Sequence, residues 1–399
     1  MTTRTSLKAI IAGAGIGGLT AAATLRQVGL DVEVYERAKE LKPAGGALSL
    51  MSNAVLALRT LGLDPDFGAH AAILADLHFV TTQGRPIKTL RFRELTERLG
   101  AHSYGIHRTD LQRVLLDAVG DTPITLDAAA TGFDTDDDGV TLHLADGRSV
   151  RGDLLIGADG FDSAVRRGLV GPESPREPGC VCWFATPFHT DPKFPHAYGA
   201  HYWGSGRRFG VANIGSGRIY WWGTKNVPPS VARAWRGNRE DVLETFAGWA
   251  PEIARLIEAT AEDEILVVPA RDRPFLERWG RGRVTLLGDA AHPVHASLGQ
   301  GAGLAMEDAA VLAHHLAGAE DVVAALRGYE DERRPRTRRM VELAYAMSKM
   351  EQWEGPVRVA LRNAYFRCLP RAAIDRRNRS LLEFTTTKDF RPEAESPKA

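Results

Sequence analysis

The sequence predicts an α/β protein: a Rossmann-like dinucleotide-binding domain with an inserted antiparallel β-sheet domain of α+β character, ending in C-terminal helices. Three observations predict it. A βαβ unit surrounds "GAGIGG" within residues 8–36, segments dense in aromatic residues and turns fill 171–269, and a second apolar strand runs into the glycine-rich "LLGDAAHPVHASLGQGAG" at 286–303.

The 399 residues exceed one simple core and suggest about two or three domains. Basic and acidic residues balance at 50 each, so the overall charge gives no basis for binding nucleic acid or an anionic membrane. No uninterrupted apolar run reaches the roughly 18 residues needed to span a bilayer. The stretch "LKAIIAGAGIGG" passes from a very short apolar run straight into a glycine loop, with no separate signal-cleavage region. The expectation is a cytoplasmic protein without stable membrane insertion. Cys180, Cys182 and Cys368 are odd in number and lack metal-site spacing, so neither a disulfide framework nor a metal site is expected.

In chain order, "KAIIA" (8–12) reads as a strand, "GLTAAATLRQVG" as a helix ending at Gly29, and "DVEVYE" (31–36) as a second strand. Gly13, Gly15 and Gly18 have the G-x-G-x-x-G spacing: a tight turn, close approach of a pyrophosphate, and close helix-to-strand packing. Glu36 ends the second strand, where an acid accepts ribose hydroxyls. The motif alone does not separate NAD from FAD, but the continuation does. Residues 77–81 and 86–91 flank "TQGR" as a hairpin where a simple NAD dehydrogenase would continue with βα units. A second hairpin turns at Asp146 and Gly147 and leads into a buried strand at Leu154–Ile156. Asp159 and Gly160 close that strand, and Ser163 and Arg166 begin a helix; taken by itself, this segment reads better as a turn with a helix cap than as a functional site. The strand "RVTLLGD" repeats the arrangement. Asp289 stands ready to accept a hydrogen bond from a polyol, and "GQGAG" lets backbone amides approach a flat ring at a helix N-terminus.

Together "GAGIGG", "HRTDLQ", "GDLLIGADGFDSAVR" and "GDAAHPVHASLGQGAGLAMEDA" resemble the FAD-dependent aromatic hydroxylases, the single-component flavoprotein monooxygenases of the para-hydroxybenzoate hydroxylase type, over residues 7–345. The resemblance implies a glutathione-reductase-type FAD domain at 1–72, 101–170 and 270–340, a substrate domain at 73–100 and 171–269, and C-terminal helices and tail at 341–399. By the same likeness, Gly13, Gly15, Gly17, Gly18, Glu36 and Arg37 bind the ADP half of the cofactor. Ser49 passes the flavin, and Arg108 contacts the cofactor. Asp159 and Arg166 serve FAD and the passing NADPH or NADH. Asp289 holds the ribityl chain, and Gly299, Gln300, Gly301, Ala302 and Gly303 line the pyrimidine edge.

The implied chemistry is reduction of the flavin by NADPH or NADH, addition of O2 at C4a, and transfer of hydroxyl from the hydroperoxide to an electron-rich ring or alkene, so that an aromatic, polycyclic or heteroaromatic molecule is hydroxylated or epoxidised. Two departures stand out. Ala296 occupies a loop position where many members have proline, and Ser52 precedes Asn53 where the family often has proline. His292 and His295 lie near the reactive edge; structural hydrogen bonding is the ordinary role of such histidines, and proton handling by His295 the functional one.

Substrate contacts are expected from 171–269, where strand alternation sends only one side of each strand to the pocket. Cys182, Phe184, Arg208, Tyr220 and Trp222 are the expected substrate-binding residues, with Arg208, Tyr220 and His295 nearest the chemistry. Arg208 and Tyr220 fall where urate-hydroxylating members carry a substrate-facing Arg and Tyr, while Cys182 stands where those members have Asn, which argues against urate. A solvated arginine beside Arg207 is the alternative for Arg208. The segment Val341–Leu382 reads as helices broken at Pro356 and Pro370, amphipathic and basic, packing on the FAD domain or a dimer partner in preference to a membrane surface. The tail "KDFRPEAESPKA" reads as disordered. A monomer or homodimer is expected. A flavoprotein reductase or dehydrogenase on the same scaffold, and a flavin-binding sensor, are the alternatives to a monooxygenase.

Overall fold

The computed structural model describes residues 6–41 and 46–387; the tail from 388 onward lies outside the described residues. The expected βαβ unit is present. Strand Lys8–Ala12 is followed by helix Ile16–Gln27 and the parallel strand Asp31–Tyr35. They belong to a five-stranded parallel sheet in the spatial order Val284–Leu286, Leu154–Gly157, Lys8–Ala12, Asp31–Tyr35, Ile124–Thr125. Ile10, Ile11, Val34 and Ile156 are wholly buried, as expected of a sheet covered on both faces. On one face lie helix Ile16–Gln27 and helix Gly301–Leu316, in close contact: Thr24 Oγ1 reaches the carbonyl of Ala309 across the interface at 3.2 Å. On the other, the three-stranded sheet Ala130–Thr135, Val140–Leu144 and Ser149–Gly152 contains the expected hairpin through Asp146 and Gly147.

The second large element is a seven-stranded sheet in the order Leu266–Pro269, Cys180–Ala185, Arg218–Asn226, Arg207–Gly215, Tyr198–Trp203, Asp76–Thr81, Pro86–Arg91. Its pairings are antiparallel except that Asp76–Thr81 runs parallel to Tyr198–Trp203. The register fixes which side chains share a face. Cys182 lies opposite Thr224 and Phe184 opposite Trp222; across the next ladder Arg208 lies opposite Thr224, Gly210 opposite Trp222 and Ala212 opposite Tyr220. The alternate residues Trp183, Tyr202, Phe209 and Trp221 turn to the other face and form a separate core with Ile253, Leu256 and Ile257 of helix Pro251–Glu258. Half of the aromatic residues in this segment are therefore core.

A small sheet of Ala47–Leu50, Tyr104–His107 and Ala71–Ile73 joins the two larger ones, with Gly105 packed against Ile214. Helix Val322–Glu351 runs 30 residues, with Pro335 inside it, and so passes unbroken through position 340/341, where the C-terminal segment was expected to begin. The breaks expected at Pro356 and Pro370 are present: helices Pro356–Cys368 and Arg371–Leu382 follow.

Candidate active site

One long cavity of about 1440 Å³ runs from the first glycine loop, between the parallel and seven-stranded sheets, to the C-terminal helices. Its first end is mostly backbone. Gly13 takes a left-handed φ of +104°, and a Cβ there would lie 2.5 Å from the carbonyl oxygen of Ala158; at Gly18 it would lie 1.9 Å from the carbonyl oxygen of Gly13. At Gly15, which faces the cavity, a Cβ would meet nothing within 4 Å. The first and third glycines thus close the turn and the second leaves room beside the main chain. Gly17 packs on Leu287 and Ala305, tying this loop to the second glycine-rich segment.

That second segment enters from strand Val284–Leu286. Gly299 has φ +62° and packs on Ser49 and Met51, and helix Gly301–Leu316 starts with no side-chain cap, so its first amides face the cavity. Asp289 lines the cavity without a hydrogen bond to any other described residue, and enclosure between the cavity walls raises its carboxyl above the usual range against the pull of His292 and Arg108. Arg108, at the start of helix Arg108–Val119, lines the same space without an ion-pair partner among the described residues. Open backbone at Gly15, an uncapped helix start, and an unpartnered cation and anion fit FAD: its pyrophosphate, its flavin ring and its polyol.

Other expected cofactor residues lie behind this surface. Glu36 accepts the amide of Ala14 at 2.6 Å and of Ala38 at 2.9 Å, so its carboxylate clamps the glycine loop from behind. Arg37 is exposed outside the cavity lining. Asp159 accepts from Ser163 Oγ and the Ala164 amide at 2.5 and 2.7 Å and caps its own helix. Arg166 is buried; it pairs with Glu173 at 2.5 Å and donates to the carbonyls of Ala290 and Ala291 at 3.0 Å, which holds the Asp289 loop in place. Gly303 packs on Asn53, whose amide group donates to Gln300 Oε1 at 3.0 Å and Glu307 at 2.6 Å. Ser52 donates its hydroxyl to the carbonyl of Leu382 at 2.9 Å, a tie to the C-terminal helix that proline at this position could not make.

The second end is a wall of side chains. Cys182, Phe184, Arg208, Tyr220 and Trp222 all line it. Phe184 and Tyr220 stack at 6.5 Å and 12°, and Tyr220 and Trp222 lie 5.1 Å apart. Burial raises the Tyr220 hydroxyl, which keeps it protonated. Gly210 is essential to this surface, since a Cβ there would stand 1.9 Å from the Trp222 ring. His201 fills the next position, stacked on Phe79 at 5.2 Å, its pKa pushed by burial down to about 3. Arg208 is buried, not solvated, and pairs with the buried carboxylate of Glu351 from the long helix. Burial pushes the Glu351 carboxyl up even against Arg208.

His295 lines the cavity with its ring 6.0 Å from Tyr345 and Nε2 3.5 Å from Asp272; burial first, then Arg208 and Arg176, hold its pKa below the ordinary imidazole range. His292 is structural: its Nε2 meets Asp308 at 2.5 Å and its ring lies on Trp279. Asp308 also accepts the Gly288 amide at 3.1 Å and Arg333 Nε at 2.7 Å. Burial alone would raise this carboxyl, but His292 and Arg333 bring it down to about 2. The network of Asp308, Glu307 and Arg333 escaped sequence reading, although "MEDA" and "DERRPRTRR" hold its charges, as did Glu351 and Gly210.

The family described as FAD binding domain matches residues 6–344. Aurachin C monooxygenase/isomerase from Stigmatella aurantiaca is 37% identical over 382 residues, covering 96% of this chain and 99% of that protein. The FAD-dependent urate hydroxylase of Klebsiella pneumoniae is 37% identical over 340 residues, covering 84% and 88%. The solved structure of Klebsiella pneumoniae HpxO with FAD and uric acid superposes with a TM-score of 0.86 at 32% identity, covering 93% of this chain and 95% of that one.

Proposed function

The chain belongs to the FAD-dependent aromatic hydroxylases and is an FAD-dependent monooxygenase; on that premise we propose that it draws electrons from NADPH or NADH and oxygenates a flat aromatic, polycyclic or heteroaromatic molecule held on the Phe184, Tyr220 and Trp222 wall. The observation that carries this is the register of the seven-stranded sheet, which gathers these rings, Cys182 and Arg208 on one face, in the same cavity as Asp289 and the glycine loops.

When bound, FAD supplies the electron transfer and oxygen activation. The chain's own residues bind, orient and exclude water. Gly13, Gly15 and Gly18 shape the loop for the pyrophosphate, with Glu36 holding that backbone. Asp289 would accept a hydrogen bond from the ribityl hydroxyls, and Arg108 and the amides of Gly301 and Ala302 would stabilise negative charge on the cofactor. The aromatic wall packs against one face of the substrate ring. Arg208, fixed by Glu351, orients an oxygen or anionic edge of the substrate. Tyr220 donates a hydrogen bond, and neutral His295 accepts a proton at its ring nitrogen. Cys182 offers only a weak S–H donor where an amide would both donate and accept, so we propose a substrate other than urate. We further propose that the protein comprises an FAD domain and a substrate domain divided as the sequence suggests, with the long helix spanning the last boundary.

The test is NADH and NADPH oxidation by FAD-loaded protein against phenolic, polycyclic and heteroaromatic compounds, including urate, under ¹⁸O₂ with mass analysis of products. Ligand-stimulated oxidation with one labelled oxygen in an aromatic product other than a urate product is the expected result. Stimulation by urate alone would overturn the substrate assignment.

A further inference from the structure

The helix Pro356–Cys368 has an unusual division of faces. Its anchoring side holds Arg362 and Phe366, both buried. Arg362 donates to the carbonyls of Glu351 at 2.8 Å and Gly204 at 3.1 Å, and Phe366 packs on Phe79 and Trp203 with ring centres 5.8 and 4.7 Å away. Its outward side is apolar. Val357, Leu361 and Tyr365 are 69%, 61% and 51% exposed at successive i, i+4 positions, with exposed Ala360 and Ala364 between them and Trp353 37% exposed just before. A surface helix ordinarily shows the reverse arrangement.

We propose that this face docks on an anionic lipid surface. Charge selects that occupant. From Pro356 to Leu382 the chain carries seven arginines against one acid, Asp375; Arg358 and Arg367 are exposed on the same helix as the apolar row, and on the next helix Arg376 is exposed while Arg371 and Arg379 pair with Glu94 and Glu383. A second copy in a twofold interface would set Arg358 and Arg367 against their own counterparts. Negatively charged headgroups complement the arginines while the acyl boundary takes Val357, Leu361 and Tyr365. No helix among the described residues is long and apolar enough to cross a membrane, so the contact is with the surface. The face is also continuous with the cavity: Tyr365, half exposed, lines it together with Leu369 and Ile374. An apolar substrate dissolved in lipid would therefore enter beneath this helix without crossing water. That delivery step rests on the monooxygenase reading, whereas the docking itself does not.

The full-length, FAD-loaded protein is floated with vesicles of phosphatidylcholine alone and of phosphatidylcholine mixed with phosphatidylglycerol. Binding to the mixed vesicles only, weakened by salt, is expected. The doubly substituted Val357→Glu, Leu361→Glu protein should keep its flavin spectrum and lose vesicle binding, and Arg358→Glu with Arg367→Glu should weaken it about tenfold or more. No flotation, or equal flotation of the Glu variants, overturns the proposal. So does a dimer in light scattering that Leu361→Glu converts to monomer, if lipid is not bound. Failure to take up FAD would strike the monooxygenase reading and leave vesicle binding as a separate result.

Discussion

At one end of the cavity the lining is main chain drawn from short, contiguous motifs, with Gly15, Gly299 and Gly301 exposing backbone and Asp289 and Arg108 supplying charge. At the other it is a mosaic of side chains from strands far apart in sequence, completed by Glu351 and the last helices. Each end is sensitive to a different kind of change. Backbone surfaces fail when a Cβ is added, because main chain cannot step aside. Side-chain surfaces fail when a neighbour changes the rotamer or charge that holds them.

The largest effect expected is at the backbone end. Gly18→Ala would put a methyl group 1.9 Å from the Gly13 carbonyl oxygen, so FAD affinity should fall at least roughly 100-fold, about 3 kcal/mol, by flavin fluorescence titration; unchanged affinity would mean the loop is not the pyrophosphate site. Next, Gly210→Ala should displace the Trp222 ring at a cost of about 1–3 kcal/mol, leaving FAD binding intact while KM for the stimulating aromatic compound rises roughly tenfold. If FAD affinity fell equally, the two ends would not be separable. Glu351→Gln leaves Arg208 without its counter-charge; kcat/KM should drop roughly tenfold with the flavin spectrum unchanged, and Glu351→Asp should restore part of the loss, which a merely structural defect would not predict.

The smallest effect is on pH dependence. His201 has its folded pKa pushed down to about 3 from the ordinary value near 6.5, so below about pH 6.5 the unfolded chain takes up a proton that the folded chain refuses. Stability is therefore full above that pH and declines as pH falls through it. His201→Gln should melt with a shallower decline between pH 7 and 5 than the unsubstituted protein.

The same contrast explains what could be read from sequence. The glycine spacings and the hairpin at Asp146 and Gly147 are local signals, and their elements formed as expected; the strand expected to end in Asp289 stops at Leu286, and Asp289 lies in the short helical turn Gly288–Ala290 that follows. Arg208 and Tyr220 could be named, but the sequence holds no sign of the 143-residue link from Arg208 to Glu351. Ala296 shows the limit from the other side: it sits in a short helical turn, Ala296–Leu298, of the expected loop. Asp159 and Arg166 matched a motif, yet their side chains are satisfied by protein atoms, because the turn-and-cap reading of that segment also describes its hydrogen bonds.

The order of the parallel sheet has a consequence in time. Strand Leu154–Gly157 receives its outer neighbour, Val284–Leu286, only after nearly 130 further residues have been made. Until then its free edge is a buried-type, wholly apolar ladder open to any passing strand. A growing chain thus possesses the first glycine loop long before Asp289 arrives, and the intervening sheet must fold while that edge waits. Premature termination between these strands would leave a fragment prone to aggregate, and slow synthesis across residues 158–283 would lengthen the same exposure.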